Sequence, residues 1–252
     1  MAGKKRIVVP VREQLYEQLK ELILTNAYEP GQIVQIEKLA DEFGVSTTPI
    51  REALIRLEGA GFLEMVPNKG VLISGIREQD IRNTWEMRRI LEPYAGRLAA
   101  ELPLDDEIDE LWDTVQSILK GSFDFDTYTQ TDIEIHELFY RHLENTLLRE
   151  TMERVHQMSM RMRYFAENVS HMFDSVVEEV TGEHVAILKA LRAHDPDRTA
   201  KTVERHVING ERRTLSTLHA KGGSIDGATA GNDATEAGGA APPAEPGRAA
   251  AR

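Results

Sequence analysis

The stretch from Ile36 to Leu57 constrains the fold more than any other part of the chain. Ala40 is small enough for a second helix to cross closely, and Gly44, four residues later, takes the left-handed conformation a tight turn demands. Val45, Ile50, Ala53, Leu54 and Leu57 then recur at helical spacing and pack a second helix back onto the first. Ser46 or Thr48 can cap that helix, and Pro49 is tolerated in its first turn because its missing N–H would be unpaired there anyway. The pattern predicts a helix-turn-helix. An ordinary helical hairpin is the plainer alternative, but several independent positions agree with the motif. Laid in a major groove, the second helix presents Thr47, Thr48, Arg51 and Arg56 to DNA.

Phe62 to Val66 and Val71 to Ile73 suit two short strands, joined by the turn Pro67-Asn68-Lys69-Gly70. A helix-turn-helix followed by a hairpin is a winged helix. Lys69 stands at the wing tip, where it meets phosphate or the minor groove; taken alone it would be a solvated turn lysine.

Ser46 to Leu54, with Leu57-Glu58-Gly59-Ala60-Gly61-Phe62, makes residues 11–75 resemble the DNA-binding domain of GntR-type bacterial transcription regulators. The resemblance implies DNA contacts by Thr48, Arg51 and Gly70. Thr47 departs from the pattern, because many relatives carry an arginine there that reads a guanine or grips phosphate. A shorter, uncharged side chain implies a different operator or a weaker contact.

At 252 residues the chain is long enough for two domains with real cores. It has no cysteine, hence no disulfide and no thiolate metal site. Ile7-Val8-Val9-Pro10 is too short for the apolar segment of a signal peptide, and no apolar run approaches the roughly twenty residues that span a bilayer. A cytoplasmic protein is expected. The formal net charge of −12 sits awkwardly with DNA binding until it is placed. Residues 1–75 carry nine Lys/Arg against ten Asp/Glu, and residues 221–252 carry three against four, so the acidity lies in 76–220. Lys4, Lys5, Arg6 and Arg12 add cations at the start of the head. The head as a whole is not basic, which argues against tight non-specific binding and leaves specific binding by a dimer open.

After Ile73 the chain reads as helices only. Apolar residues recur at three- and four-residue spacing over Arg77–Glu101, where Pro93 is expected to kink or split the helix. Further helices fit Asp106–Lys120, stopped by Gly121, then Thr127–Glu144, Leu147–Glu167, Phe173–Ala193 and Asp195–His219. The expected fold is mainly α: a winged helix-turn-helix over 1–75 and an all-helical bundle over 76–220. The Gly-, Ala- and Pro-rich segment 221–252 is expected to be disordered.

Within the bundle, Asp132 and His136 share one helix face, and His184 and His206 fall among apolar residues of two later helices. One carboxylate and three imidazoles are a donor set for a divalent metal, although each histidine alone would more often be an ordinary core or surface residue. His142, His156, His171, His194 and His219 have no comparable partner by spacing.

Arg88-Arg89-Ile90-Leu91-Glu92-Pro93, Asp132 with His136, Glu183-His184 and Arg205-His206 make residues 76–218 resemble the FCD ligand-binding domain of the FadR subfamily of GntR regulators. The resemblance implies that Asp132, His136, His184 and His206 bind one divalent ion, and that Arg88 faces the pocket and pairs with a ligand carboxylate. A helix-surface Arg88 paired to Glu92 is the alternative. The resemblance further implies a homodimer on palindromic operator DNA. Metal with open positions and a nearby guanidinium make a trap for a small organic acid, a hydroxy acid, dicarboxylate or sugar acid, that controls operator affinity. Repression is the expected outcome, with zinc the first choice of metal and nickel, manganese or iron as alternatives. No enzyme is expected. Two other readings stay open: a metal-dependent hydrolase or lyase with Glu183, Glu134 or Glu137 as general base, and a DNA binder with a purely structural metal.

Overall fold

A computed structural model describes residues 10–121, 125–167 and 173–220. The N-terminal part runs α1 (Val11–Leu24), β1 (Ile33–Val34), α2 (Ile36–Phe43), α3 (Thr47–Gly59), β2 (Leu63–Val66) and β3 (Gly70–Ile73). Helices α2 and α3 are the helix-turn-helix, with Gly44 at φ +64° between them. Ser46 holds the N-cap position of α3 in extended conformation, but its side chain makes no capping bond. Leu15, Leu19 and Ile23 of α1 close a core with Leu39, Ile50, Leu54, Leu57, Phe62 and Ile73.

The wing has three strands where the sequence predicts two. The order is β1-β3-β2, all antiparallel, with Val71 opposite both Val34 and Met65. A two-residue strand is too short for alternation to show, so β1 has no sequence signature. The turn is where Asn and Gly were expected to supply freedom: Asn68 has φ +61° and Gly70 φ +106°. Gly70 also has a neighbour. A Cβ there would stand 2.9 Å from Gln35 Cα and still closer to the Val34 carbonyl oxygen.

The remaining helices are α4 (Glu78–Ala99), α5 (Asp105–Leu119), α6 (Phe125–Leu138), α7 (Thr146–Glu167), α8 (Phe173–Arg192) and α9 (Pro196–Ala220). Pro93 lies inside α4 and does not split it. Ile81, Trp85, Ala95 and Ala99, on either side of the proline, belong to one core with Val203, Val207 and Leu218 of α9. Helix α6 ends six residues before the predicted Glu144. Phe139, Tyr140 and Leu143 close tight turns to the carbonyls three residues back, and Asn145 then accepts the Leu148 N–H at 3.0 Å to start α7. No helix among the described residues is long and apolar enough to cross a membrane. Lys4, Lys5, Arg6, His171 and the tail from Lys221 lie outside the described residues.

Gly70→Ala combines left-handed backbone with a clash against β1, and should destabilise the protein by about 1–3 kcal/mol. Urea unfolding followed by circular dichroism checks this, and an unchanged midpoint would contradict the packing described.

Candidate metal centre and DNA-reading face

Asp132 and His136 lie one turn apart on α6, His184 lies on α8 and His206 on α9. One ligand-type atom from each stands within 4.8 Å of all the others, and all four residues are buried. Their tautomers follow from their partners. His136 Nδ1 is 3.0 Å from Glu92 Oε2, and His206 Nδ1 is 2.7 Å from Glu183 Oε2. An ionised carboxylate only accepts, so each Nδ1 carries the ring proton and each Nε2 keeps a lone pair. Those two Nε2 atoms face each other at 3.1 Å. Burial lowers the pKa of both rings, and pushes His206 down to about 3 against the pull of Glu183. Both are therefore neutral at pH 7, and lone pair meets lone pair. His184 Nε2 has no hydrogen-bond partner among the described residues and lies 3.4 Å from Asp132 Oδ1. Arg88 Nη2 stands 3.3 Å from His136 Nε2. A carboxylate oxygen and imidazole nitrogens converging in a buried place are what a divalent cation takes up.

Each carboxylate around this point is matched by a guanidinium. Arg163 of α7 clasps Asp132 with both terminal nitrogens, Nη1 at 2.9 Å from Oδ1. Arg88 holds Glu92 through Nε and, at 3.3 Å, through Nη2. Arg213 donates to Glu183 at 2.9 and 3.1 Å. Burial alone would raise all three carboxyl pKa values. Arg163 nevertheless holds Asp132, and Arg88 holds Glu92, well below the usual carboxylate range. His206 and Arg213 bring Glu183 down to about 2.

Arg88 is 1% exposed beside the cluster, so it is not the helix-surface cation of the alternative reading, although the Glu92 pairing of that reading is present. Glu183, weighed above as a general base, is occupied by His206, Arg213 and the Asn209 amide. Glu134 accepts from Gln130, and Glu137 from Arg141. Sequence reasoning missed Arg163 and set His156 aside. His156 is buried with its ring 5.1 Å from that of His136, its Nδ1 is 3.3 Å from the Tyr140 hydroxyl, and its Nε2 has no partner. It lines a cavity of about 10 Å³, room for one water, beside Arg88 and Glu92. His156 and Arg163 are seven apart, hence on one face of α7, and that spacing was the available signal. His142, His194 and His219 form surface pairs with Glu107, Asp105 and Glu78.

On the head, α3 exposes Thr48, Arg51 and Ile55 on its outer side, with Thr47 partly exposed. Lys69 is exposed at the wing tip, and Gly70 is half-buried beneath β1. Arg56 faces α1 instead: it donates to both oxygens of Glu13, at 2.7 and 3.1 Å, and lies 4.0 Å over the Tyr16 ring.

Residues 11–73 match the family profile of bacterial regulatory proteins of the gntR family, and residues 83–209 match that of the FCD domain. The chain is 27% identical over 205 residues to the HTH-type transcriptional regulator YdhC of Bacillus subtilis, covering 78% of this chain and 88% of that protein. It is 26% identical over 202 residues to the HTH-type transcriptional repressor RspR of Escherichia coli, covering 79% and 86%. The solved structure of E. coli McbR/YncC superposes with a TM-score of 0.69 at 21% identity, covering 85% of this chain and 99% of that one.

Arg88→Met leaves Glu92 in the interior with the His136 N–H but without its counter-charge, and should destabilise the protein by about 3–5 kcal/mol. Arg88→Met with Glu92→Leu should recover most of that loss in urea titrations. Equal loss in the single and double variants would show that the pair does not act as a unit.

Proposed function

The chain belongs to the GntR family of bacterial regulatory proteins and carries an FCD domain, and from that premise we propose a repressor whose operator affinity is set by a small carboxylate bound beside a divalent metal. Residues 1–75 form the DNA-binding head, 76–220 the sensing and dimerising domain, and 221–252 a tail. Asp132, His136, His184 and His206 hold the metal, with zinc the first choice for this donor set and nickel, manganese or iron as alternatives. Arg88, whose Nη2 reaches His136, is the partner of the effector carboxylate.

The observation that carries this reading is the charge count at the cluster. Three carboxylates are offset by three guanidiniums, and burial keeps the His136 and His206 rings neutral. The set is balanced before anything binds. A divalent ion satisfies the opposed lone pairs, supplies a Lewis-acidic positive centre, and adds two charges that burial makes costly. An organic anion offsets them, so metal and acid belong together. Catalysis is disfavoured because Glu183 is tied up in orienting His206, the second-sphere role a metal-bound imidazole needs.

Thr47, Thr48, Arg51, Lys69 and Gly70 form the contact surface with DNA, while Arg56 acts mainly through Glu13 to set the angle of α3 on α1. A homodimer in the cytoplasm reads a palindromic operator with two such heads. Exposed Met87, Ile90 and Tyr94, three and four residues apart on α4, give an apolar surface for the second copy.

Elemental analysis of the purified protein tests the centre. About one equivalent of a transition metal, lost in His136→Ala/His184→Ala protein, is the expected result; no metal in either after reloading would overturn the reading. If metal is present but no acid alters operator affinity, the metal is structural. Arg51→Ala should weaken operator binding by about 1–3 kcal/mol in gel-shift titrations. Unchanged affinity would remove Arg51 from the contact surface.

A further inference from the structure

Within the eight residues 156–163 of α7, two side chains touch the acid–imidazole cluster and two touch the DNA-binding head. His156 and Arg163, about 20° apart around the helix, face the cluster. Met158 and Arg161 point elsewhere. Met158 packs against the core of the head. Arg161 is 2% exposed and donates through Nη2 to the carbonyl oxygen of Ser74, while its own carbonyl accepts from the Asn26 amide at 3.2 Å. Ser74 is the residue at which the wing ends. Its N–H donates to Phe62 O at 3.1 Å and its hydroxyl to Gly61 O at 3.0 Å, so Arg161 grips a point already fastened to the end of α3.

Resting on the sensing role proposed above, we infer that α7 carries the occupancy of the cluster to the head, with Arg163 and Arg161 as its positioning residues. Arg163 reads charge at Asp132. A cation arriving on that carboxylate takes a share of its negative charge and repels the guanidinium, which weakens the clasp that holds this part of α7. Two residues away, on the same rigid turns, Arg161 then loses its alignment with Ser74. The head is held by the latch when the cluster is empty and released when it is filled. The chain also joins the two parts covalently between Ser74 and α4, but that link carries no group from the cluster.

Hydrogen exchange on the full-length, chelator-treated protein tests this without any effector. Asp132→Asn loosens Arg163, and Arg161→Met removes the latch. Each should speed amide exchange in the peptide spanning residues 70–77 about ten-fold, the loss expected for one charge-assisted hydrogen bond. The double variant should be no faster than Arg161→Met alone. Multiplying effects, or an Asp132→Asn protein that speeds residues 156–163 and leaves 70–77 unchanged, would overturn the proposal. Arg163→Lys and Arg161→Lys serve as milder variants, with wild-type protection of residues 187–191 showing that the bundle is folded. Zinc chloride added to the wild-type protein should reproduce the Asp132→Asn effect and leave Arg161→Met unmoved. Zinc that binds by calorimetry without changing residues 70–77 would sink the coupling. Zinc that does not bind would sink the metal reading instead, and the variants would still decide the role of α7.

Discussion

Neutral imidazole nitrogens held face to face are the constraint around which the bundle is arranged. Glu92 and Glu183 each accept a hydrogen bond from an Nδ1–H, and in doing so aim the Nε2 lone pairs of His136 and His206 at one another. Carboxylates in an apolar interior are tolerated only with a counter-charge, so each brings its own guanidinium. The pairs come from α4, α6, α7, α8 and α9, and of the bundle helices only α5 contributes none of these groups. Packing follows the same plan. Arg88 lies 5.3 Å over the Trp85 ring, and Phe139 meets His136 edge-on at 5.7 Å, so aromatic side chains of the core wall the polar cluster.

Such a cluster adds little to stability, because desolvation offsets most of what pairing returns, yet removal of any one member is costly. That asymmetry suits a site meant to respond. On the proposed function, the strain of an added cation falls on the pair most able to give. Arg88 is sealed in, at 1% side-chain exposure, whereas Arg163 retains 15% and sits on α7.

The four clustered residues were legible in sequence for different reasons. Asp132 and His136 announce themselves by helical spacing, whereas His184 and His206 stand out only as single histidines among apolar residues and gain most of their weight through the family likeness, since nothing in a single chain says that α8 and α9 meet α6. Arg163 was missed for the same reason: its partner is on another helix, 31 residues away. The winged helix was read almost whole, because turn glycines and apolar periodicity are local signals. Its third strand was not, because β1 exists only through pairing with β3. Pro93 does not split α4, because the penalty for proline in a helix is local, while the packing of α4 on α9 that outweighs it is tertiary.

Arg56 shows how the head and the bundle divide the work. A sequence count places it among the few cations available to DNA, yet Glu13 and Tyr16 hold it against α1. With a head of near-zero net charge and an uncharged Thr47 at the start of α3, a single head has little electrostatic hold on phosphate. In the dimer proposed above, affinity depends on two heads engaging together, and the gain from the second is lost if their spacing is wrong. A regulator built in this way is sensitive to small changes at the base of the wing. Residues that fasten Ser74 therefore have more leverage over DNA binding than their distance from the DNA would suggest.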